Sequence, residues 1–166
     1  MEADGEYGLP NRSSNGFGDA AVLAGVTFWR GVMSSDEITW AHKNVWSFRS
    51  KNFCVEVSRH VATRLDGEDE NIWCIYAYIW KEHPSFRLFK KDESPFNQPH
   101  FEVHSYPSYY RAHINKDGDV MSHQIGWDYN HDGDSRYLEY KTKDDAGSVF
   151  WDAKNLIRQL KEWGDE

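Results

Sequence analysis

Five side chains in this sequence are of the types that do acid–base or metal chemistry: His83, His104, Asp128, His131 and Asp134. Converging imidazoles and carboxylates can bind a divalent metal, hold a water for hydrolysis, or anchor a polar ligand. In a hydrolytic reading, His104 or His131 is the general base, and Asp128 with Asp134 orients it or holds a metal. In a binding reading, His83, His104, Tyr109, Trp127, Asp128, His131 and Asp134 contact a small nucleotide-like or polar molecule. Solvation and loop-tying are the competing explanation for such residues at strand ends, and with 8 histidines in the chain some clustering is expected. No residue is assigned to a resident metal, and no cofactor is identified.

Two further patterns lie beside this set. Tyr106, Tyr109 and Tyr110 follow His104, while Trp127 and Tyr129 flank Asp128. Aromatic faces with a few polar groups suit a flat ligand, although strands select aromatics for packing anyway. Asp128, Asn130, Asp132, Gly133 and Glu139 match a calcium-loop spacing, with hard oxygens at alternate positions and a glycine for the turn. Ser135 stands where that loop usually carries an aliphatic residue, and the flanks alternate like strands rather than helices. A hairpin turn explains these letters better. Phosphate-loop, dinucleotide-fold, serine-hydrolase and zincin motifs are absent from the sequence.

The elements that must position these groups read as one α+β domain over 20–166, following a Gly/Asn/Ser-rich arm at 1–19. Residues 20–33 are apolar but broken by Gly25 and Gly31, and fit either a short helix or a strand. Ser34 with Glu37 fits a capping box and predicts a short helix near 35–43. Phe53, Val55 and Val57 alternate with polar or small residues, the mark of a strand with one buried face. Ile72–Trp80 is apolar on both faces, as a central strand is. A long loop at 81–99 is expected to hold a short strand at Phe86–Phe89.

A meander follows, with strands near Phe101–His104, Tyr109–Ile114, Val120–Tyr129 and Arg136–Lys141. The turns Asn115–Asp119 and Asn130–Asp134 share the pattern N-x-D-G-D, whose glycine supplies positive φ. Asp145 is the expected N-cap of a C-terminal helix, and Gly164 its C-terminal cap. Val149, Phe150, Ala153, Leu156, Ile157, Leu160 and Trp163 form the helix's apolar stripe. The fold class is therefore an antiparallel, meander-rich sheet packed by a C-terminal helix and a short N-terminal helix.

Composition narrows the partners. The chain has 166 residues, 27 Asp+Glu against 19 Lys+Arg, and a net charge of -8, which argues against duplex nucleic acid and anionic membranes. Mean hydropathy is low at -0.80, but 8 Trp, 9 Tyr and 9 Phe supply large buriable surfaces. No secretory or membrane-spanning run is apparent, so a cytoplasmic protein is expected. Cys54 and Cys74 lie on expected strands, where they could face each other; a reduced buried pair is the expectation.

Residues 73–140 resemble a group of small bacteriophage proteins that carry His-Pro, then H-G-G-x-T-Y, then G-[FW]-D-C-x-H-x-G-D, and end in a helix. His83-Pro84 matches the first motif. His104, Ser108 and Tyr109 match part of the second, with Ser105 and Tyr106 in place of its glycines. Gly126, Trp127, Asp128, His131, Gly133 and Asp134 match the third, with Tyr129 in place of its cysteine. The resemblance implies a phage accessory gene of the counter-defence or host-takeover kind, and brings no activity with it. Three functions follow: a module binding a small ligand, a metal- or His/Asp-dependent hydrolase, or an acidic inhibitor that blocks a host protein's nucleic-acid-binding face.

Overall fold

The computed structural model describes residues 41–42 and 45–163. The expected arm, the 20–33 segment, Gly164 and most of the helix expected near 35–43 lie outside them; the last part of that helix, Ala41–His42, is strand β1. The remaining strands are β2 (Val45–Arg49), β3 (Phe53–Thr63), β4 (Asp69–Trp80), β5 (Tyr109–Ile114) and β6 (Val120–Asp128). All pair antiparallel in one sheet of order β1-β2-β3-β4-β6-β5. Two helices follow, α1 (Ser135–Leu138) and α2 (Gly147–Glu162). The α+β class and the antiparallel sheet packed by a C-terminal helix stand, while β6 rather than β5 lies beside β4.

Alternation decides which face is buried. In β3, Phe53, Val55 and Val57 point one way, and their cross-strand partners Ile79, Ala77 and Ile75 in β4 point with them. Ile125 and Trp127 of β6 extend this surface, and α2 covers it with Val149, Phe150, Ala153, Leu156, Ile157 and Leu160. The helix thus buries the stripe expected from its spacing. β4 is central, as its two-sided apolarity implies. Cys54 and Cys74 share the opposite face but do not meet: Cys54 lies across from Tyr78, and Cys74 across from Ser58. Both are buried and free. Burial, reinforced by Glu56, pushes the Cys54 thiol up to about 12.

The chain departs from the expected meander in three places. Phe86–Phe89 is not a strand: Pro84–Leu88 forms a 3₁₀ turn, capped by His83 Nδ1 accepting from the Ser85 amide at 3.2 Å. Phe101–His104 is irregular, ending where Ser105 adopts a left-handed φ of 56°. Arg136–Lys141 begins inside α1 rather than forming a strand. The two N-x-D-G-D turns explain the last departure. In the first, Asn115 Oδ1 accepts from the amides of Asp117 and Asp119, both at 2.9 Å, and closes a hairpin between β5 and β6. In the second, Asp128 Oδ1 takes the Asn130 amide at 3.2 Å and Asp134 Oδ2 takes the His131 amide at 3.0 Å. A carboxamide caps the first turn and two carboxylates cap the second, although the letters are the same, and the second turn sends the chain off the sheet. Buried Tyr137 anchors it there.

Asp145 is not the cap of α2. Its Oδ2 accepts from the Lys141 and Thr142 amides and from Thr142 Oγ1, which ties down the preceding turn, and Ala146 occupies the cap position.

Candidate functional site

The second turn and the irregular 101–108 segment meet at the end of the sheet where β6 leaves it. Phe101, buried in the core, anchors one side of that segment. Asn155 and Gln159 of α2 donate to the Glu102 carbonyl at 2.7 and 3.1 Å, and the Glu102 amide donates to Gln159 Oε1 at 2.8 Å. These bonds hold His104 over the turn. His104 Nε2 lies 2.9 Å from Asp134 Oδ2. His131 Nδ1 lies 3.3 Å from the same oxygen.

The surroundings orient both partners. The His104 ring stacks on Tyr129, with centroids 4.5 Å apart and planes 13° from parallel. Tyr137 meets the edges of both rings. The Tyr129 hydroxyl donates to Asp152 Oδ2 at 2.7 Å. Burial pushes the Asp134 carboxyl up, but hydrogen bonds from His104 and from the amide and ring of His131 outweigh it, leaving the group below its usual range. Asp152 moves the other way: desolvation raises it more than the Tyr129 hydroxyl and nearby His104 lower it.

An open cleft of about 490 Å³ adjoins His104. Its walls include Glu102, Arg136, Tyr137, Trp151 and Asp152. Trp151 is 66% exposed, an unusual state for the largest apolar side chain on a helix. Among the described residues, His104 Nδ1 has no hydrogen-bond partner. The imidazole is thus tied through one nitrogen to a carboxylate and free at the other, the arrangement of an oriented base or of a ligand-binding imidazole.

Only part of the expected set converges. His104, His131 and Asp134 come together, with Asp128 at the margin, its Oδ1 3.8 Å from His131 Nδ1. His83 does not join them. It follows the opposite end of β4, where Trp80 pairs with Ser122, whereas Asp128 pairs with Cys74, roughly 20 Å away along the strand. It is buried, donates from Nε2 to the Leu160 carbonyl at 3.0 Å, and accepts at Nδ1 from Ser85. Burial lowers its pKa despite the Leu160 bond, and its work is to staple the 3₁₀ turn to α2. Trp127 is a core residue, 1% exposed and edge-on to Phe101. Tyr109 pairs with Gly126 and stands edge-on to Tyr76, on the face of the sheet away from α2.

Tyr137, Asp152 and Trp151 line the cleft beside His104 and are not among the residues the sequence points to. The signal for the last two was faint: a carboxylate and an indole wedged between Phe150 and Ala153 of the apolar stripe. The calcium-loop spacing gains no support, since β6 and not a helix precedes the loop and Asp132 and Glu139 are exposed. No helix among the described residues is long and apolar enough to cross a membrane. The chain matches no protein-family model, no curated protein and no solved structure.

Proposed function

We propose that this chain is a binding module that holds a small planar polar ligand of the nucleoside class in the cleft between His104, α1 and α2. The observation that carries this reading is His104 itself: Nε2 is fixed by Asp134, the ring is fixed by Tyr129 and lines the cleft, and Nδ1 has no partner among the described residues. Trp151 offers an exposed face on which a heterocycle stacks. Arg136 gives one cationic group, but its guanidinium already donates to the Tyr137 hydroxyl at 2.6 Å. Glu102 and Asp152 also line the cleft. This balance favours a nucleoside or monophosphate over a polyphosphate. The resemblance to small phage proteins supports an accessory role, in which the module sequesters a host small molecule.

A thermal-shift panel of nucleosides and mononucleotides tests the reading. A ligand at 100 times its Kd stabilises the fold by ~2.7 kcal/mol, a rise of roughly 5–10 °C for a chain of this size. The rise is expected for the wild type and not for His104→Ala or Trp151→Ala. If no member shifts the wild type, or if both variants respond equally well, the cleft is not the binding site. Product formation in the same mixtures would replace binding with the hydrolase reading. Retained capture of a basic host protein by His104→Ala would favour the acidic-inhibitor reading.

A further inference from the structure

One oxygen in this site is overcommitted. Asp134 Oδ2 faces His104 Nε2 at 2.9 Å, the His131 amide at 3.0 Å and His131 Nδ1 at 3.3 Å. Asp134 Oδ1 takes no hydrogen bond from the described residues. A carboxylate oxygen has two lone pairs in its plane, so three nitrogens against one oxygen and none against its twin is a poor use of the group. The crowding disappears if the two imidazole nitrogens turn lone pairs, rather than protons, toward the carboxylate and a cation sits between them.

We propose that His104 Nε2, His131 Nδ1 and Asp134 Oδ2 hold a divalent transition metal of the zinc class. All three atoms lie within 4.8 Å of one another. Atoms bound ~2.0–2.1 Å from a tetrahedral zinc lie about 3.3 Å apart, which is the separation of His131 Nδ1 from Asp134 Oδ2; His104 Nε2, at 2.9 Å from the same oxygen, needs only a small outward shift to match. Two imidazoles and one carboxylate form a borderline nitrogen–oxygen set, suited to Zn(II), Co(II) or Ni(II) and not to calcium or magnesium. Three protein ligands leave a fourth position for water or a ligand atom.

The supporting shell is also present. Tyr129 and Tyr137 fix the His104 ring. The His131 amide fixes Asp134, and Gly133, at φ 97°, lets the loop fold back so that the Asp134 amide reaches the His131 carbonyl at 2.9 Å. Such shells hold ligands in place before the metal arrives. The metal would also set the chemistry of the cleft. Bound through Nε2, His104 carries its proton on Nδ1 and offers a donor; without metal, the Nε2 proton points to Asp134 and Nδ1 is an acceptor. This proposal rests on the cleft as the ligand site only for that last consequence.

Full-length protein stripped with chelator and titrated with Co(II) tests it. The expected result is a stoichiometric visible spectrum of low-symmetry Co(II), displaced by Zn(II). In His131→Ala, affinity should fall by more than the ~10–100-fold that loss of a supporting residue costs. His131 is exposed, so the variant should fold, as circular dichroism will verify; Asp134→Asn gives a second removal. Absence of the spectrum in the wild type, or an unchanged titration in both variants, overturns the metal. Nucleoside binding by stripped protein that takes up no Co(II) overturns the metal alone. A Co(II) spectrum without any nucleoside response supports the metal and removes the ligand reading.

Discussion

The His104 ring lies 4.5 Å from the Tyr129 ring and 13° from parallel to it, and the Tyr129 hydroxyl is bonded to Asp152 across the site. One tyrosine therefore supports the imidazole with its face and a half-buried carboxylate with its tip. Replacing Tyr129 with phenylalanine keeps the face and removes the tip. Asp152 then lacks its donor, which costs ~1–3 kcal/mol for a group held away from water. Urea unfolding near neutral pH should show that loss. Adding Asp152→Asn to the Tyr129→Phe variant should recover part of it, because a neutral amide tolerates burial better. Unchanged stability in Tyr129→Phe would mean the bond carries nothing.

His123 makes stability depend on pH. It is 3% exposed and packed among Phe86, Phe89 and Tyr110; Tyr110 donates its hydroxyl to Nδ1 at 2.7 Å. Burial, with a smaller contribution from His113, pulls its pKa from 6.5 down to about 4. The unfolded chain takes up this proton as pH falls through ~6.5, while the fold resists until near 4. The stability contributed is full above ~6.5 and is lost progressively between there and ~4, on the order of 3 kcal/mol at most. Buried His83 acts in the same direction. Asp152 and Glu56, both raised by burial, act oppositely as pH rises through their range. Unfolding free energies should therefore fall on acidification through this window, and His123→Gln should flatten the slope. A variant with the wild-type slope would show that His123 is not the linked group.

Two buried tryptophans should respond differently to the same substitution. Trp73 donates its indole N–H to the Tyr140 carbonyl at 3.1 Å. Trp127 is as deeply buried, and its Nε1 has no partner among the described residues. Trp73→Phe loses volume and strands a carbonyl; Trp127→Phe loses similar volume but removes an orphan donor. Denaturation of the two variants should place Trp73→Phe below Trp127→Phe by ~1–3 kcal/mol. The reverse order would contradict this assignment of hydrogen bonds.

Much of this architecture was legible because period and burial agree. The alternation at Phe53–Val57, the two-sided apolarity of Ile72–Trp80 and the stripe from Val149 to Leu160 each reflect a face that must be buried. The failures have a common cause. Phe86–Phe89 and Phe101–His104 hold aromatics that look strand-like, but single anchors such as Phe89 and Phe101 serve an irregular segment equally well. The two N-x-D-G-D turns diverge because different positions cap them: the motif's first residue, Asn115, closes the first turn, whereas its last residue, Asp134, and the preceding Asp128 close the second, a choice the shared letters do not reveal. Similarly, His83 follows the central strand as expected, but at the opposite end of the sheet from the other histidines of the set. The cluster of His104, His131 and Asp134 was legible within the larger set of five, from residue type and from their expected places at strand ends and in the second turn. Tyr137 and Asp152 were hidden because only the docking of α1 and α2 brings them there.

The most direct measurement of the central claim is a heteronuclear NMR titration of the isotope-labelled chain with the nucleoside that gives the largest thermal shift. Shift changes should cluster on His104, Tyr137, Ser148, Trp151 and Asp152, which line the cleft, should include the His104 imidazole nitrogens, and should vanish in His104→Ala. Changes centred instead on Tyr109 and Tyr76, or an undiminished response in that variant, would contradict a ligand held by His104.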